Sequence, residues 1–306
     1  MKLQIPVAFF SYNRPEHAEK SLSALEKCLD FSRFTYYFFS DGPKNCNSIK
    51  LVKKVRKILA KKSRIFSAKV IINSTNKGLK NSIIDGVTFL CAKYGWVIVL
   101  EDDLIVAPEF LRYMAAALVN YKNKPEVMQI GAYTIASSSN MDTDTFFLPV
   151  TTTWGWGTWD RAWKKFSSVP EGWPETLRDK SWLKLFQING ALDYVSMLED
   201  SLAGRNDSWG ILWWYAVSRC RGQVLYPRRS LVWNGGFDGS GVHCGNGRGP
   251  TWQCSPVETR IFRDNISFPR DTHHRSADFD LLEQTLLGHS MVPAGLKSRL
   301  RSLFRS

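Results

Sequence analysis

The chain has 306 residues, of which 44% are hydrophobic and 13% are aromatic, including 12 tryptophans. A disordered, collagen-like or low-complexity chain lacks this much apolar surface, so the composition excludes those classes. The 41 Lys and Arg residues outnumber the 28 Asp and Glu residues, which gives a formal net charge of +13. This excess predicts an anionic partner: a nucleic acid, an acidic membrane surface or a phosphorylated small molecule.

Short apolar runs alternate with longer amphipathic stretches through the first 130 residues. The runs that predict strands are 5–10, 34–40, 68–72 and 96–100, and the stretches that predict helices are 15–29, 50–64 and 79–93. This alternation predicts an α/β fold, a mostly parallel central sheet with helices on both faces. Such sheets bind ligands at the carboxyl ends of their strands, so the residues just after each strand are candidates for a site.

The second predicted helix is strongly basic. Its residues 50–64 include eight cations and no acid. This pattern is typical of a solvated helix face, and it also suits contact with an anionic surface.

Three consecutive carboxylates, Glu101, Asp102 and Asp103, directly follow the fourth predicted strand. Like charges this close repel strongly in a low-dielectric site unless a cation joins them. Carboxylate oxygens suit Mn²⁺ or Mg²⁺, which often bridges protein carboxylates and substrate phosphate. Strand alternation predicts that Glu101 and Asp103 lie on one side and Asp102 on the other. The alternative interpretation is a solvated acidic turn.

The acidic segment resembles the motif of GT-A glycosyltransferases, which use a nucleotide-sugar donor, and its form Glu-Asp-Asp is similar to that of N-acetylglucosaminyltransferase I. Residues 10–15 (Phe-Ser-Tyr-Asn-Arg-Pro) resemble the opening of family 2 enzymes. Residues 40–43 resemble the acidic turn after the second strand, and residues 76–79 the segment near the ribose and diphosphate. The resemblance covers about residues 5–245.

The resemblance implies a role for each acid of the donor site. Asp41 would bond the uracil edge, Asp102 would contact the ribose, and Asp103 would ligate the metal. Glu101 would contact the donor sugar or orient the site.

Other donor contacts follow from the same resemblance. Asn13 and Arg14 lie in the opening motif and are assigned to the donor. Lys77 or Arg14 would add positive charge at the phosphates, unless each is only a surface cation.

Trp156, together with Trp154, fits a wall on which donor or acceptor sugar faces stack, because the neighbouring glycines allow close backbone approach, with an aromatic core as the alternative. For Trp159 and Trp163 the aromatic core is the favoured interpretation.

An inverting transferase needs a carboxylate that takes the proton of the acceptor hydroxyl. Asp207, just before the apolar segment at residues 211–217, fits that role, and it fits equally a cap of the helix that follows. Asp200 or Glu199 is the alternative base if the alignment with the family is shifted.

A Gly-rich loop near residues 234–249 holds His243. The resemblance makes this histidine the candidate to complete the metal shell, with a purely structural histidine as the alternative. Asp238 in the same loop is a candidate for binding sugar hydroxyls.

These observations together predict a metal-dependent, UDP-sugar-using, inverting glycosyltransferase of bacterial surface polysaccharide or lipopolysaccharide synthesis. Its acceptor would be a saccharide or a lipid-linked saccharide. Residues 1–255 would form the catalytic domain, with a donor half at 1–130 and an acceptor half at 131–255. Residues 256–306 would form an extension.

The extension ends in a basic amphipathic segment, residues 295–306, that suits an anionic membrane or is a solvated terminus. No run reaches the ~18 apolar residues of a membrane-spanning helix, so we expect a cytoplasmic protein, either free or peripheral on the inner face of the membrane. Two other classes remain as alternatives: a carbohydrate-binding protein without catalysis and, less favoured for lack of a motif, a nucleic-acid-binding protein.

Overall fold

The computed structural model describes residues 4–137, 142–238, 262 and 265–289 of the chain. The strands in this part of the chain are β1 (Pro6–Ser11), β2 (Thr35–Ser40), β3 (Lys69–Ile72), β4 (Trp96–Glu101), β5 (Leu104–Val106), β6 (Val127–Gly131), β7 (Thr145–Leu148), β8 (Trp156–Trp159), β9 (Gln223–Pro227) and β10 (Val232–Asn234). The helices are α1 (Pro15–Glu26), α2 (Cys46–Phe66), α3 (Gly78–Tyr94), α4 (Phe110–Asn120), α5 (Asp160–Trp163), α6 (Trp173–Thr176), α7 (Lys180–Phe186), α8 (Tyr194–Leu202), α9 (Trp209–Arg219) and α10 (Ser276–His289), with a short 3-10 helix at Phe31–Arg33.

Eight of the strands form one sheet in the order β3-β2-β1-β4-β8-β6-β9-β7, and β10 pairs with β5 beside it. The first four strands of this order pair in parallel, as do β6 and β9. Strand β8 is antiparallel to both of its neighbours, and β7 is antiparallel to β9. The prediction of an α/β fold with a mostly parallel central sheet is therefore confirmed.

The two faces of the sheet bury two separate cores, because side chains alternate along each strand. Val7 and Phe9 of β1 join a cluster that includes the apolar faces of α1, α2 and α4. Ala8 and Phe10 join a second cluster with α3, α5 and the helices from α7 to α10. Helices thus cover both faces, as the alternating pattern predicts.

Local capping sets the start of α2, which begins before the basic pattern at residue 50. The Asn45 side chain accepts a hydrogen bond from the Ser48 backbone N–H at 3.1 Å, and the Ser48 hydroxyl accepts one from the Asn45 N–H at 3.1 Å. This reciprocal pair satisfies two donors that the first helical turn leaves unpaired. The helix ends at Phe66, where Ser67 takes a left-handed conformation with φ of 48°.

The segments at 153–163 and 206–215 are rich in Trp, Gly and Ser, a composition typical of loops, yet they contain β8, α5 and most of α9. Strand β8 lies in the middle of the sheet, and a Cβ at Gly157 would be 2.9 Å from Met114 Cε and 3.0 Å from the Val97 carbonyl oxygen. Gly157 is thus needed for close packing in a strand. Likewise, the last fifty residues, which show no clear periodicity, contain α10.

None of the helices in the described ranges is long and apolar enough to cross a membrane.

Candidate active site

The polar segments that follow the parallel strands lie at one edge of the sheet. Because β1, β2, β3 and β4 run in the same direction, their carboxyl ends meet there. The segments are 11–14 after β1, 41–43 after β2, 73–78 after β3 and 101–103 after β4.

Arg14 joins the two aspartates of the acidic segment. Its guanidinium bonds Asp102 Oδ1 through one terminal nitrogen and lies 3.0 Å from Asp103 Oδ2 through the other. The backbone N–H of Tyr12 donates to Asp102 Oδ2 at 3.3 Å. The expectation that Asp102 and Asp103 lie on opposite sides is therefore wrong. Strand β4 ends at Glu101 and the chain turns, so strand alternation no longer applies.

Burial and mutual repulsion raise the proton affinity of the acids. Burial, then the charges of Asp103 and Asp102, raises the pKa of Glu101 to about 8, against the opposing effect of Arg14. Burial also raises the pKa of Asp102, and Arg14 partly offsets this. For Arg14, burial acts to lower the pKa, but the two aspartates outweigh it and raise the value. One guanidinium thus compensates part of the negative charge, and the site keeps an affinity for further positive charge.

Asp41 is buried and organises the start of α3. Its carboxylate accepts from the side-chain amides of Asn73 at 3.3 Å and Asn76 at 2.9 Å. It also accepts from the backbone N–H groups of Lys77 at 2.9 Å and Gly78 at 3.0 Å. Protein donors therefore occupy both oxygens, and the contact of Asp41 with a uracil edge stays a prediction.

The other cationic and polar donor candidates are more open. The ammonium of Lys77 pairs with Asp85 at 2.7 Å on the surface, so contact with a phosphate requires that pair to open. Asn13 is half-buried between β1 and α1.

A glycine-rich segment after β10 covers Asp103. Antiparallel pairing sets Asn234 opposite Leu104, and the Gly235 N–H donates to the Asp103 carbonyl at 2.8 Å. A Cβ on Gly236 would lie 2.5 Å from Asp103 Oδ2. The space beside this carboxylate therefore exists only because residue 236 is glycine.

The residues present fit a divalent cation. Arg14 engages Asp103 Oδ2, while no donor in the described part of the chain reaches Asp103 Oδ1. A hard carboxylate oxygen at an electronegative edge, beside the space that Gly236 leaves, is what Mn²⁺ and Mg²⁺ bind. The described residues do not contain a cluster of three or more potential ligands, and His243 lies outside them.

The sequence pattern did not indicate the pair of His17 and Asp238. His17 Nε2 of α1 lies 3.1 Å from Asp238 Oδ2, which joins the glycine-rich segment to the first helix. The two residues are far apart in the chain and belong to no shared motif, so no local signal could reveal the contact.

A cavity of about 340 Å³ is lined by residues that follow β6 in the chain. Its wall is formed by the loop before β8, the helices α8 and α9, and α10, and it holds aromatic, aliphatic and hydroxyl side chains with no charged residue. Trp154 and Tyr133 line it and contact each other edge to face at 4.4 Å between ring centroids.

Asp207 is exposed and directly precedes Ser208, which lines this cavity. Ser208, not Asp207, caps α9, since its side chain accepts from the Ile211 N–H. The capping alternative for Asp207 is therefore wrong. Of the fallback residues, Asp200 pairs with Arg205 at 2.6 Å, and Glu199 is exposed on α8.

Side-chain contacts tie this region to the carboxyl edge of the sheet. Lys80, in the first turn of α3, lies 3.4 Å from the Ser201 hydroxyl. That hydroxyl donates to the Ser208 carbonyl at 2.9 Å. Asp207 thus belongs to a segment that α3 holds near the edge where the donor candidates lie.

The assignment of Trp156 to a ligand-facing wall is wrong. Its side chain is 0% exposed and stacks on Trp209 at 5.3 Å, between Trp163 and Trp213. A buried indole has no free face for a sugar. Trp159 is buried too, so the prediction that Trp159 and Trp163 belong to the core is confirmed.

A family model described as Glycosyl transferase family 2 matches residues 7–174, which is more than half of the chain. No curated protein sequence matches.

Solved structures match with low identity. S. aureus TarS 1–349 has 11% identity and a TM-score of 0.46, with 77% of this chain and 62% of that chain covered. GalNAc-T7 with UDP, GalNAc and Mn²⁺ has 9% identity and a TM-score of 0.45, covering 74% and 43%. Mouse xyloside xylosyltransferase 1 in its apo form has 14% identity and a TM-score of 0.37, covering 70% and 80%. The chain spans less than two thirds of the length of the TarS and GalNAc-T7 chains.

Proposed function

The chain belongs to glycosyl transferase family 2, and on this premise we propose that it moves a sugar from a nucleoside diphosphate to a saccharide or lipid-linked acceptor. A UDP-sugar is the first donor to test, with inversion at the anomeric carbon. The observation that carries the proposal is the joined Arg14, Asp102 and Asp103 at the carboxyl edge of the sheet. A role in bacterial surface polysaccharide or lipopolysaccharide assembly stays a prediction.

The donor end has to stabilise the charge that develops on the leaving diphosphate. Arg14 supplies a fixed positive charge there and keeps Asp102 and Asp103 close together. Asp103, with His243 as the second expected ligand, would hold Mn²⁺ or Mg²⁺. When bound, such a cation polarises phosphate oxygens as a Lewis acid. Asp102 would bond the ribose, and Glu101 would orient the donor sugar.

The acceptor end needs a proton acceptor and a place for the acceptor itself. Asp207 is exposed beside the cavity, so its carboxylate can reach a bound hydroxyl without first being released from a protein partner. Removal of that proton by Asp207 makes the oxygen a better nucleophile toward the anomeric carbon. The uncharged, partly aromatic wall that includes Trp154 and Tyr133 suits the apolar face of a sugar.

The proposal is tested by nucleotide release from a panel of UDP-, GDP-, CMP- and TDP-sugars with Mn²⁺, with and without EDTA. We expect release from one donor class, lost with EDTA and restored by Mn²⁺. Asp103→Asn should lower release by about 100-fold or more, since it removes the anionic ligand that would hold the cation at the diphosphate. Asp271→Asn, at an exposed aspartate, is the matched control and should leave release unchanged.

Two results would count against the proposal. Absence of release from every donor would contradict catalysis, and sugar binding without release would favour the carbohydrate-binding alternative. Nucleotide release that resists EDTA would agree with the proposed transferase activity but contradict the proposed metal dependence.

A further inference from the structure

Helix α2 presents a continuous basic stripe to solvent. Its buried side chains, including Val52, Val55 and Leu59, face α1 and the sheet. At 3.6 residues per turn, most of the positions farthest from this buried face carry cations. They are Lys50, Lys53, Lys54, Lys57, Lys61 and Arg64, and all of them are exposed.

These six cations are not used to hold the fold together. Across the described ranges, none of them is in an ion pair, whereas the other two cations of α2 are engaged. Lys62 is buried against Glu19 and Glu26 of α1, at 3.5 and 2.8 Å, and Arg56 donates to backbone carbonyls beside β2 and β3. The acids of α1 nearest to the helix thus already pair with Lys62, and the stripe keeps its charge.

The stripe suits a lipid surface better than a nucleic acid. The aliphatic side chains of Ile49 and Ile65, 40% and 47% exposed, flank the cations on either side. An interfacial helix uses this combination, with cations at the headgroups and aliphatic groups among the acyl chains. The aromatic residue of α2, Phe66, is buried, so this face offers no ring for a base to stack on.

The position of α2 keeps the candidate active site accessible when the stripe is in contact. The helix starts just after the carboxyl end of β2 and runs about 30 Å back along the sheet. Arg56 ties it to that edge through the carbonyls of Asp41 and Asn73, at 3.2 and 2.7 Å. A surface against the outer face of α2 therefore lies beside the carboxyl edge and does not cover it.

We infer that the outer face of α2 is a docking surface for an anionic phospholipid membrane. The contact is electrostatic, with Ile49 and Ile65 entering the interface. It does not depend on the proposed transferase reaction, so the two are tested separately.

The test is sedimentation of the full chain with vesicles of phosphatidylcholine alone or mixed equally with phosphatidylglycerol. We expect binding to the mixed vesicles only, weakening steeply between about 0.1 M and about 0.5 M salt as screening increases. The triple variant Lys53→Glu, Lys57→Glu, Lys61→Glu should lower the partition coefficient about tenfold or more.

A charge-matched control separates the stripe from the overall charge. Lys122→Glu, Lys124→Glu, Lys165→Glu changes the net charge equally at exposed positions outside α2 and should lower partitioning less than threefold or so, since it leaves the stripe intact. Circular dichroism checks that both variants fold, and Lys53→Gln, Lys57→Gln, Lys61→Gln provides a milder version with an intermediate loss.

Three outcomes would overturn the inference. The first is equal weakening of vesicle binding in both triple variants. The second is unchanged binding of the α2 variant, which would assign any membrane contact to another segment. The third is tighter binding of a single-stranded RNA than of the mixed vesicles.

Discussion

At the scale of single residues, the site depends on one cation that holds two acids together. Asp102 is nearly inaccessible, with a side chain 4% exposed, and Arg14 is the charge that compensates it. A planar guanidinium can bond two carboxylates at once, which an ammonium does less well. Arg14 is therefore a structural requirement of the site as well as a candidate for contact with phosphate.

We expect Arg14→Gln to lower the free energy of unfolding by about 3 kcal/mol, because it leaves two neighbouring buried charges uncompensated. Millimolar Mn²⁺ should stabilise this variant more than the wild type, since a second cation then replaces the lost charge. Urea unfolding measures both effects. Arg112→Gln, which opens the more exposed pair with Asp30, should cost less than about 1 kcal/mol. If Arg14→Gln is as stable as the wild type, Arg14 does not stabilise the fold by compensating the two carboxylates.

The proposed proton acceptor is also a single residue, Asp207. Asp207→Asn should lower kcat about 100-fold or more with little change in donor affinity, because it removes only the group that takes the proton. Asp200→Asn, seven residues earlier and paired with Arg205, is the matched control and should have little effect. Turnover retained in Asp207→Asn and lost in Asp200→Asn would move the base to Asp200.

At the scale of elements, strand pairing brings a distant segment of the chain back to the candidate active site. The short antiparallel pair of β10 and β5 sets the glycine-rich segment against Asp103, and the contact of His17 with Asp238 fastens it to α1. The segment comes so close to the carboxylate that a side chain at residue 236 has no room. The site is thus closed on this side by backbone.

We expect Gly236→Ala to weaken Mn²⁺-dependent donor binding about tenfold or more, because the added methyl group would lie 2.5 Å from Asp103 Oδ2 and displace the carboxylate. Isothermal titration with the active nucleotide measures the effect. Gly288→Ala in α10 is the matched control: its Cβ meets no atom within 4 Å, and the helix should gain up to about 1 kcal/mol. Unchanged donor binding in Gly236→Ala would mean that Asp103 is not the ligand.

At the scale of the whole molecule, two cores on opposite faces of the sheet stabilise different parts of the structure. One core supports the strands and helices beside the candidate active site, and the other contains six buried tryptophans and borders the cavity. Helix α10 joins the second core through Leu282 and Leu286 and forms part of the cavity wall. Just before α10, His274 bonds Gln223 of β9, with its ring nitrogen 3.1 Å from the amide oxygen.

This attachment predicts a loss of stability in mild acid. Burial and then the charge of His273 lower the pKa of His274, while Asp278, paired with Arg275, opposes the shift. The unfolded chain then takes up its proton at a higher pH than the folded chain. The stabilisation is therefore complete above about pH 6.5 and is lost as the pH falls through the folded pKa.

We expect the melting temperature to fall between pH 7.5 and 5, and His274→Gln to flatten this dependence while keeping a polar partner for Gln223. His273→Gln, at an exposed position, is the control and should retain most of it. Differential scanning calorimetry across the pH range measures the slope, and equal slopes in the wild type and His274→Gln would refute the argument.

The sequence alone determined the sheet class and the edge where the site lies. Strand and helix periods are local, and turn residues after each strand are local too, so β1 to β4 and their polar ends were predicted to within a residue or so. The charge of α2 was also evident, although the position of its cations on one stripe needed the helix bounds and the buried face.

Tertiary structure alone decided which of these residues meet. Arg14 and Asp102 are 88 positions apart, and the contact of His17 with Asp238 spans the two halves of the chain, so no local pattern specifies either pair. Trp154 and Trp156 look alike in sequence, yet one lines the cavity and the other is enclosed in the core. Burial and long-range pairing depend on how distant elements pack, and that packing turns a row of acids into a site with a defined charge.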